Sequence, residues 1–151
     1  MTDSKRTGAQ TGPDGAFTAE MVITVAAPVT SRDLPIIEGF LQDAVAVMSG
    51  RFRYWEVLLV DHGVGDGLID CVEALQKTLP NIRLVRLSRA HDEEVALLAA
   101  LECSIGDFVV LMDADRDPPQ RIPDLIAACA AGYDAVVGTT KDKGPRSFLR
   151  R

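Results

Sequence analysis

Apolar positions along the chain fall into short runs of two kinds, separated by polar, glycine- or proline-bearing stretches. Met21 to Ala27 (MVITVAA), Glu56 to Asp61 (EVLLVD) and Phe108 to Met112 (FVVLM) are strand-length runs with almost no polar alternation. Such runs predict strands buried on both faces of a parallel sheet. Ile82 to Leu87 (IRLVRL) alternates and predicts a strand nearer an edge, and Asp134 to Gly138 (DAVVG) predicts a short fifth strand. Between these runs the spacing becomes helical. Ile36, Ile37, Phe40, Leu41, Ala44, Val45 and Met48 mark a helix over Leu34 to Met48, entered through the capping residues Thr30, Ser31 and Asp33 and left at Ser49-Gly50. A second helix, capped by Asp66, carries Ile69, Val72 and Leu75 on one face and runs to about Thr78 before Pro80-Asn81 breaks it. A third covers Glu93 to Ser104, and a fourth runs from about Gln120 to Ala131, with Gly132 as its C′ residue.

Strand and helix therefore alternate five times in short units. This predicts an α/β fold, doubly wound, with a mostly parallel sheet and helices on both faces. Residues 1–17, rich in Thr, Gly, Ser and Asp, are expected to be a disordered lead-in. Residues 18–140 would form the folded domain. Residues 141–151 would form a basic tail bearing Lys141, Lys143, Arg146, Arg150 and Arg151.

Composition narrows the function more than the fold. A chain of 151 residues, 47% hydrophobic and 25% charged, has the material for one domain with a real core. A net charge of −6 argues against a general nucleic-acid binder. Cys71, Cys103 and Cys129 form no CxxC pair, and each falls in a predicted helix among apolar neighbours. They are expected to be buried reduced thiols rather than zinc or redox ligands. No stretch approaches the ~18 apolar residues that span a membrane. The N-terminus has no signal-peptide apolar segment. The expectation is a soluble, cytoplasmic chain.

The chemistry gathers where strands end. Pro28 to Asp33, Asp61 to Gly67 and Asp113 to Pro119 each follow a predicted strand, and open α/β sheets bind ligands outside the carboxyl ends of their strands. The run Phe108 to Met112 stops on Asp113-Ala114-Asp115. Side chains alternate along a strand, so Asp113 and Asp115 are expected to point to the same side where the run ends. Two converging carboxylates repel and lose hydration, and a divalent cation that takes oxygen ligands, Mg²⁺ or Mn²⁺, relieves both. The competing structural explanation is that these acids line a turn and cap the next helix. His62 and His91 stand alone and are expected to be loop histidines, while Tyr54 and Trp55 are expected to pack.

Taken in order, several segments together resemble the family 2 glycosyltransferases of GT-A fold. They are Glu56 to Asp61 with Gly63 and Asp66-Gly67, Val85 to Arg89, Ala96 to Leu101, and Gly106-Asp107 leading into Met112 to Pro119. Ile122 to Leu125, Gly132 to Gly138 and Ser147 to Leu149 complete the set. Within that family the closest likeness is to the dolichol- and polyprenyl-phosphate sugar transferase branch, over about residues 21 to 151. The resemblance implies a Rossmann-like three-layer α/β/α sandwich that binds a nucleotide-diphospho-sugar. It assigns nucleotide contact to Pro28, Asp61, Asp113 and Ala114, and Mg²⁺ or Mn²⁺ binding to Asp113, Asp115 and Asp117. It implies transfer of the sugar to a polyprenyl phosphate or glycan, with possible association at the inner membrane face and with oligomerisation left open.

Three loops depart from the family's pattern. Thr30-Ser31-Arg32-Asp33 stands where an Asn-Glu pair is usual, and Asp61-His62-Gly63-Val64 replaces Asp-Asp-Gly-Ser. Ala90-His91-Asp92-Glu93 replaces Asn-x-Gly-Lys, so the basic residue facing the phosphates would have to be Arg89, Arg116 or His91. Family members also continue past this length, and the further part supplies the acceptor site and a general base. The chain is therefore expected to be the nucleotide-sugar-binding part alone, with no catalytic residue assigned. The alternative is a non-catalytic nucleotide-sugar-binding or assembly module. A receiver-like phosphotransfer domain, with Asp113 as nucleophile and Lys141 as its partner, fits Pro118-Pro119 poorly.

Overall fold

The computed structural model describes residues 20–63 and 67–139. The expected lead-in, the cap at Asp66 and the basic tail lie outside the described residues. Four strands and four helices alternate: β1 (Val22–Val29), α1 (Leu34–Arg51), β2 (Tyr54–Asp61), α2 (Gly67–Gln76), β3 (Ile82–Arg86), α3 (Glu93–Cys103), β4 (Phe108–Leu111) and α4 (Ile122–Ala130). Short 3₁₀ turns, Ser31–Asp33 and Pro119–Arg121, lead into α1 and α4.

The strands are parallel and lie in the order β3-β2-β1-β4. The chain steps outward from β1 to β3 and then crosses back to the other side of β1. The order therefore reverses between β1 and β4, and at such a point the connections diverge to opposite faces and open a crevice at the carboxyl edge.

Strand alternation sorts the core into two layers. Ile23, Val25, Ala27 and Val29 of β1 and Val57 and Leu59 of β2 pack with Ile37, Leu41, Ala44 and Met48 of α1, Leu68 and Val72 of α2, and Ile122 and Ile126 of α4. Ala26, Leu58 and Val60 face the other way, beneath Ala96 and Ala100 of α3. The expected three-layer α/β/α arrangement is present.

At the amino edge a buried polar cluster closes the sheet. Thr24 Oγ1 donates to Glu56 Oε1 (2.8 Å), the Ile105 amide donates to the same oxygen (3.3 Å), and Arg83 Nε lies 3.1 Å from Glu56 Oε2. Arg83 also donates to the Cys103 carbonyl, and the Gly106 amide donates to Thr24 Oγ1 (3.0 Å).

Several expectations hold. β3 is an edge strand, Gly132 follows α4 with φ +115°, and Thr30 and Asp33 form a reciprocal capping box. Others do not. Phe108 to Met112 is not buried on both faces. Among the described residues β4 pairs with β1 alone, Leu111 is 39% exposed, and regular strand geometry stops there, although the Met112 amide still donates to Ala26 O (2.9 Å). Asp134 to Gly138 forms no strand: Val137 is 83% exposed, and no described strand offers this segment a ladder. The cysteines are free, as expected, but half-buried rather than buried.

Candidate functional site

Four loops meet at the carboxyl edge, and hydrogen bonds hold their described residues. After β1, Asp33 Oδ2 accepts the Thr30 amide (2.7 Å) while Thr30 Oγ1 accepts the Arg32 amide (3.3 Å). This turns the chain sharply into α1 and holds Thr30, Arg32 and Asp33 at the edge. After β2, the His62 amide continues the ladder to Val29 O (3.1 Å). The His62 ring Nδ1 lies 2.8 Å from His91 O, and the His91 amide donates back to His62 O (3.0 Å). The loops after β2 and β3 are thereby tied reciprocally.

After β4, the acids themselves build the turn. Asp117 Oδ2 accepts the Asp113 amide (2.8 Å) and Asp113 Oδ1 accepts the Asp115 amide (2.9 Å). The Asp113 carbonyl accepts from the amides of Arg116 (3.2 Å) and Asp117 (2.9 Å). Arg116 Nη1 stands 3.5 Å from Asp113 Oδ2 in an exposed ion pair. The alternation expected to align Asp113 with Asp115 is thus replaced by a turn, because short polar side chains that satisfy nearby amides compete with extended backbone.

These loops enclose a cleft of about 260 Å³ lined by Pro28, Thr30, Arg32, Asp33, His62, Glu93, Asp113, Asp115 and Arg116. A more open groove of about 420 Å³ adjoins it, lined by Ile36, Phe40 and Asp43 of α1 and by residues from Ala114 to Gln120. Asp115 and Arg116 border both. Of the residues singled out from sequence, the structure brings Pro28, Asp113 and Asp115 together in the cleft and puts Ala114 and Asp117 on the groove.

Asp61 lines neither. It is 2% exposed, Oδ1 accepts the Gly63 amide (3.1 Å), and Oδ2 lies 3.5 Å from Arg86 Nε, its register partner on β3. That contact is an ion pair in distance but lacks hydrogen-bond geometry, so Oδ2 is buried without a hydrogen bond. Arg32, His62 and Glu93 escaped the sequence reading because each has a sufficient local explanation, as part of a capping turn, as a lone histidine and as a first helical residue. Of the three candidates for the phosphate-facing cation, Arg116 lines the cleft and Arg89 and His91 do not.

Among the described residues no three His, Cys, Asp or Glu side chains are gathered in a group that would hold a metal. Asp113 and Asp115 nevertheless line one cleft, and their carboxylates are hard oxygen donors. That donor set fits a cation of the Mg²⁺ kind, which is held by one or two carboxylates and completes its shell with substrate phosphate oxygens and water. It does not fit a cage built from protein alone.

A family model described as glycosyl transferase family 2 matches residues 25–151. The undecaprenyl-phosphate 4-deoxy-4-formamido-L-arabinose transferase of Pectobacterium carotovorum subsp. carotovorum is 32% identical over 133 residues, covering 85% of this chain and 39% of that protein. Its counterpart in Edwardsiella ictaluri is 31% identical over 137 residues, 89% of this chain and 42% of that one. The chain thus spans about two fifths of the length of these curated relatives. Among solved structures, a mannosyltransferase from Pyrobaculum calidifontis in complex with GDP-Man and Mn²⁺ superposes with a TM-score of 0.62 at 26% identity, covering 73% of this chain and 32% of that one. Residues 1–349 of TarS from S. aureus superpose with a TM-score of 0.52 at 20% identity and share the fold.

Proposed function

Since the chain belongs to glycosyl transferase family 2, we propose that its carboxyl-edge cleft binds a nucleotide-diphospho-sugar together with Mg²⁺ or Mn²⁺, for transfer of the sugar to a polyprenyl phosphate or a glycan. The observation that carries this reading is the Asp113–Asp117 turn, which sets Asp113 and Asp115 on the cleft at the point where the strand order reverses. The Pyrobaculum mannosyltransferase, of like fold, is seen with GDP-Man and Mn²⁺, and the curated relatives are named for transfer to undecaprenyl phosphate.

In this reading Asp113 and Asp115 hold the cation, and when bound it supplies charge neutralisation to the diphosphate as the glycosidic bond breaks. Asp117 braces the turn through Oδ2, leaving its second oxygen for the cation or its water. Arg116, freed from its solvent-exposed pairing with Asp113, adds positive charge beside the phosphates. Pro28 and Ala114 border the nucleotide. Asp61 acts from below, holding Gly63 and Arg86 in place. A lipid-linked acceptor would put the site at the cytoplasmic face of a membrane. No helix among the described residues is long and apolar enough to cross one.

A non-catalytic nucleotide-sugar-binding module is the second reading, favoured by the changed loop sequences at Thr30–Asp33, Asp61–Val64 and Ala90–Glu93. Calorimetric titration with UDP- and GDP-sugars, with and without Mn²⁺, tests the shared premise. Metal-dependent binding of at least one is expected, and its absence for all of them would sink both readings. Sugar transfer to a polyprenyl phosphate then separates enzyme from module.

A further inference from the structure

We propose that Arg32, in the turn between β1 and α1, binds the diphosphate of the donor. This deepens the donor-binding reading above and rests on it. Two arginines line the cleft, and their surroundings differ. Arg116 Nη1 stands 3.5 Å from Asp113 Oδ2, so its charge is partly answered by a carboxylate. Among the described residues the Arg32 guanidinium makes no ion pair or hydrogen bond, although Asp33, Glu93, Asp113 and Asp115 line the same cleft. Asp33, its neighbour in sequence, is engaged elsewhere: Oδ2 accepts the Thr30 amide (2.7 Å) and the Thr30 hydroxyl (3.3 Å).

The Arg32 main chain is fixed while its side chain is not committed. Its amide donates to Thr30 Oγ1 (3.3 Å) inside the capping turn. An arginine anchored in this way at a cleft and lacking a carboxylate partner suits an incoming anion. Its planar fork matches two phosphate oxygens, and a guanidinium is more weakly hydrated than an ammonium. The two arginines and four carboxylates of the lining leave a formal balance of −2. One divalent cation cancels that excess, and Arg32 is then a positive charge left for the diphosphate. The same charge acts oppositely on the two ligands. It attracts the diphosphate, but it repels a metal ion from the carboxylates of the cleft. A residue that merely held the loop would support both.

Arg32→Gln removes the charge and keeps the main-chain turn, and Arg32→Lys keeps the charge without the fork. The probes are UDP and GDP with Mn²⁺, followed by calorimetry, and Mn²⁺ alone, followed by electron paramagnetic resonance, beside thermal melts. Arg32→Gln should bind the preferred nucleotide about tenfold more weakly, the scale of one hydrogen bond to a charged group. Its nucleotide affinity should also depend less on salt than that of the wild type. Mn²⁺ alone should bind Arg32→Gln at least as tightly as the wild type, with Tm little changed. Arg32→Lys should fall between Arg32→Gln and the wild type in nucleotide affinity. Nucleotide binding by Arg32→Gln within about twofold of wild type would overturn the assignment while leaving donor binding standing. So would a joint loss of nucleotide affinity, Mn²⁺ affinity and Tm, which is the signature of a residue that only holds the loop. Wild type binding neither nucleotide would overturn both.

Discussion

Asp113 has two tasks, and one substitution separates them. Its Oδ1 accepts the Asp115 amide and so shapes the turn, while the negative charge of its carboxylate is what a cation needs. Asp113→Asn keeps an acceptor oxygen and removes the charge. We expect Tm to stay within about 2 °C, since an exposed ion pair with Arg116 adds little. Mn²⁺-dependent nucleotide affinity should fall by about tenfold or more, as read by calorimetry. Asp117→Ala should behave differently. It strips the Asp113 amide of its partner (2.8 Å), so thermal stability and binding should drop together. At the opposite edge of the sheet, Glu56 is 8% exposed and collects Thr24, Ile105 and Arg83. Glu56→Ala leaves the wholly buried Thr24 hydroxyl and the Ile105 amide without that acceptor. Discounting the half-exposed Arg83, the cost should be about 2–3 kcal/mol in urea denaturation, with metal binding of the surviving fold unchanged.

The elements differ in how much of their structure a local sequence window determines. Gly106 must be glycine because of what lies across from it: a Cβ there would sit 2.5 Å from the Thr24 amide nitrogen and 2.7 Å from Phe108 O. Both are backbone atoms of paired strands, so neither can yield cheaply. Gly106→Ala should therefore destabilise by about 3 kcal/mol or more, visible as a lowered urea midpoint or failure to accumulate in soluble form. The helices and the first two strands were legible in sequence because their signals are local. Helical spacing over Leu34 to Met48 and the capping residues Thr30 and Asp33 do not depend on distant parts of the chain. The apolar runs of β1 and β2 match strands with a neighbour on each side. The same argument misjudged Phe108 to Met112 and Asp134 to Gly138, because an apolar run does not say which strand lies beside it. It also misjudged the acids after β4. Alternation was carried past the last strand residue, where the Asp117 side chain had already bent the chain back onto Asp113. The directions in which Asp61 and His62 turn were illegible for a further reason: they depend on partners, Arg86 and His91, 25 and 29 residues further along the chain.

On the scale of the whole molecule, the sheet is a rigid centre between two separately tethered walls. β1 and β2 each have a paired strand on both sides, and their inner residues are almost wholly buried. β3 and β4 each have one open flank among the described residues. One wall of the cleft, at His62 and tied from behind to the His91 main chain, hangs on β2 and β3. The other, the Asp113–Asp117 turn, hangs on β4. Local opening draws on the weakly buried parts of a fold, so amide exchange in the free protein should be slowest in β1 and β2 and faster in β3, β4 and α4. A ligand that binds only the closed arrangement stabilises it by RT ln(1 + [L]/Kd), about 2.7 kcal/mol at a hundredfold excess over Kd. UDP or GDP with Mn²⁺ should therefore slow exchange in both walls at once, at residues 62–63 and 91–93 and at residues 113–117. The amides of β1 and β2, already closed, should change little. Protection confined to the Asp113–Asp117 turn would mean that the ligand is held without the wall at His62. Protection in neither wall, with binding proven by calorimetry, would move the site away from this edge of the sheet altogether.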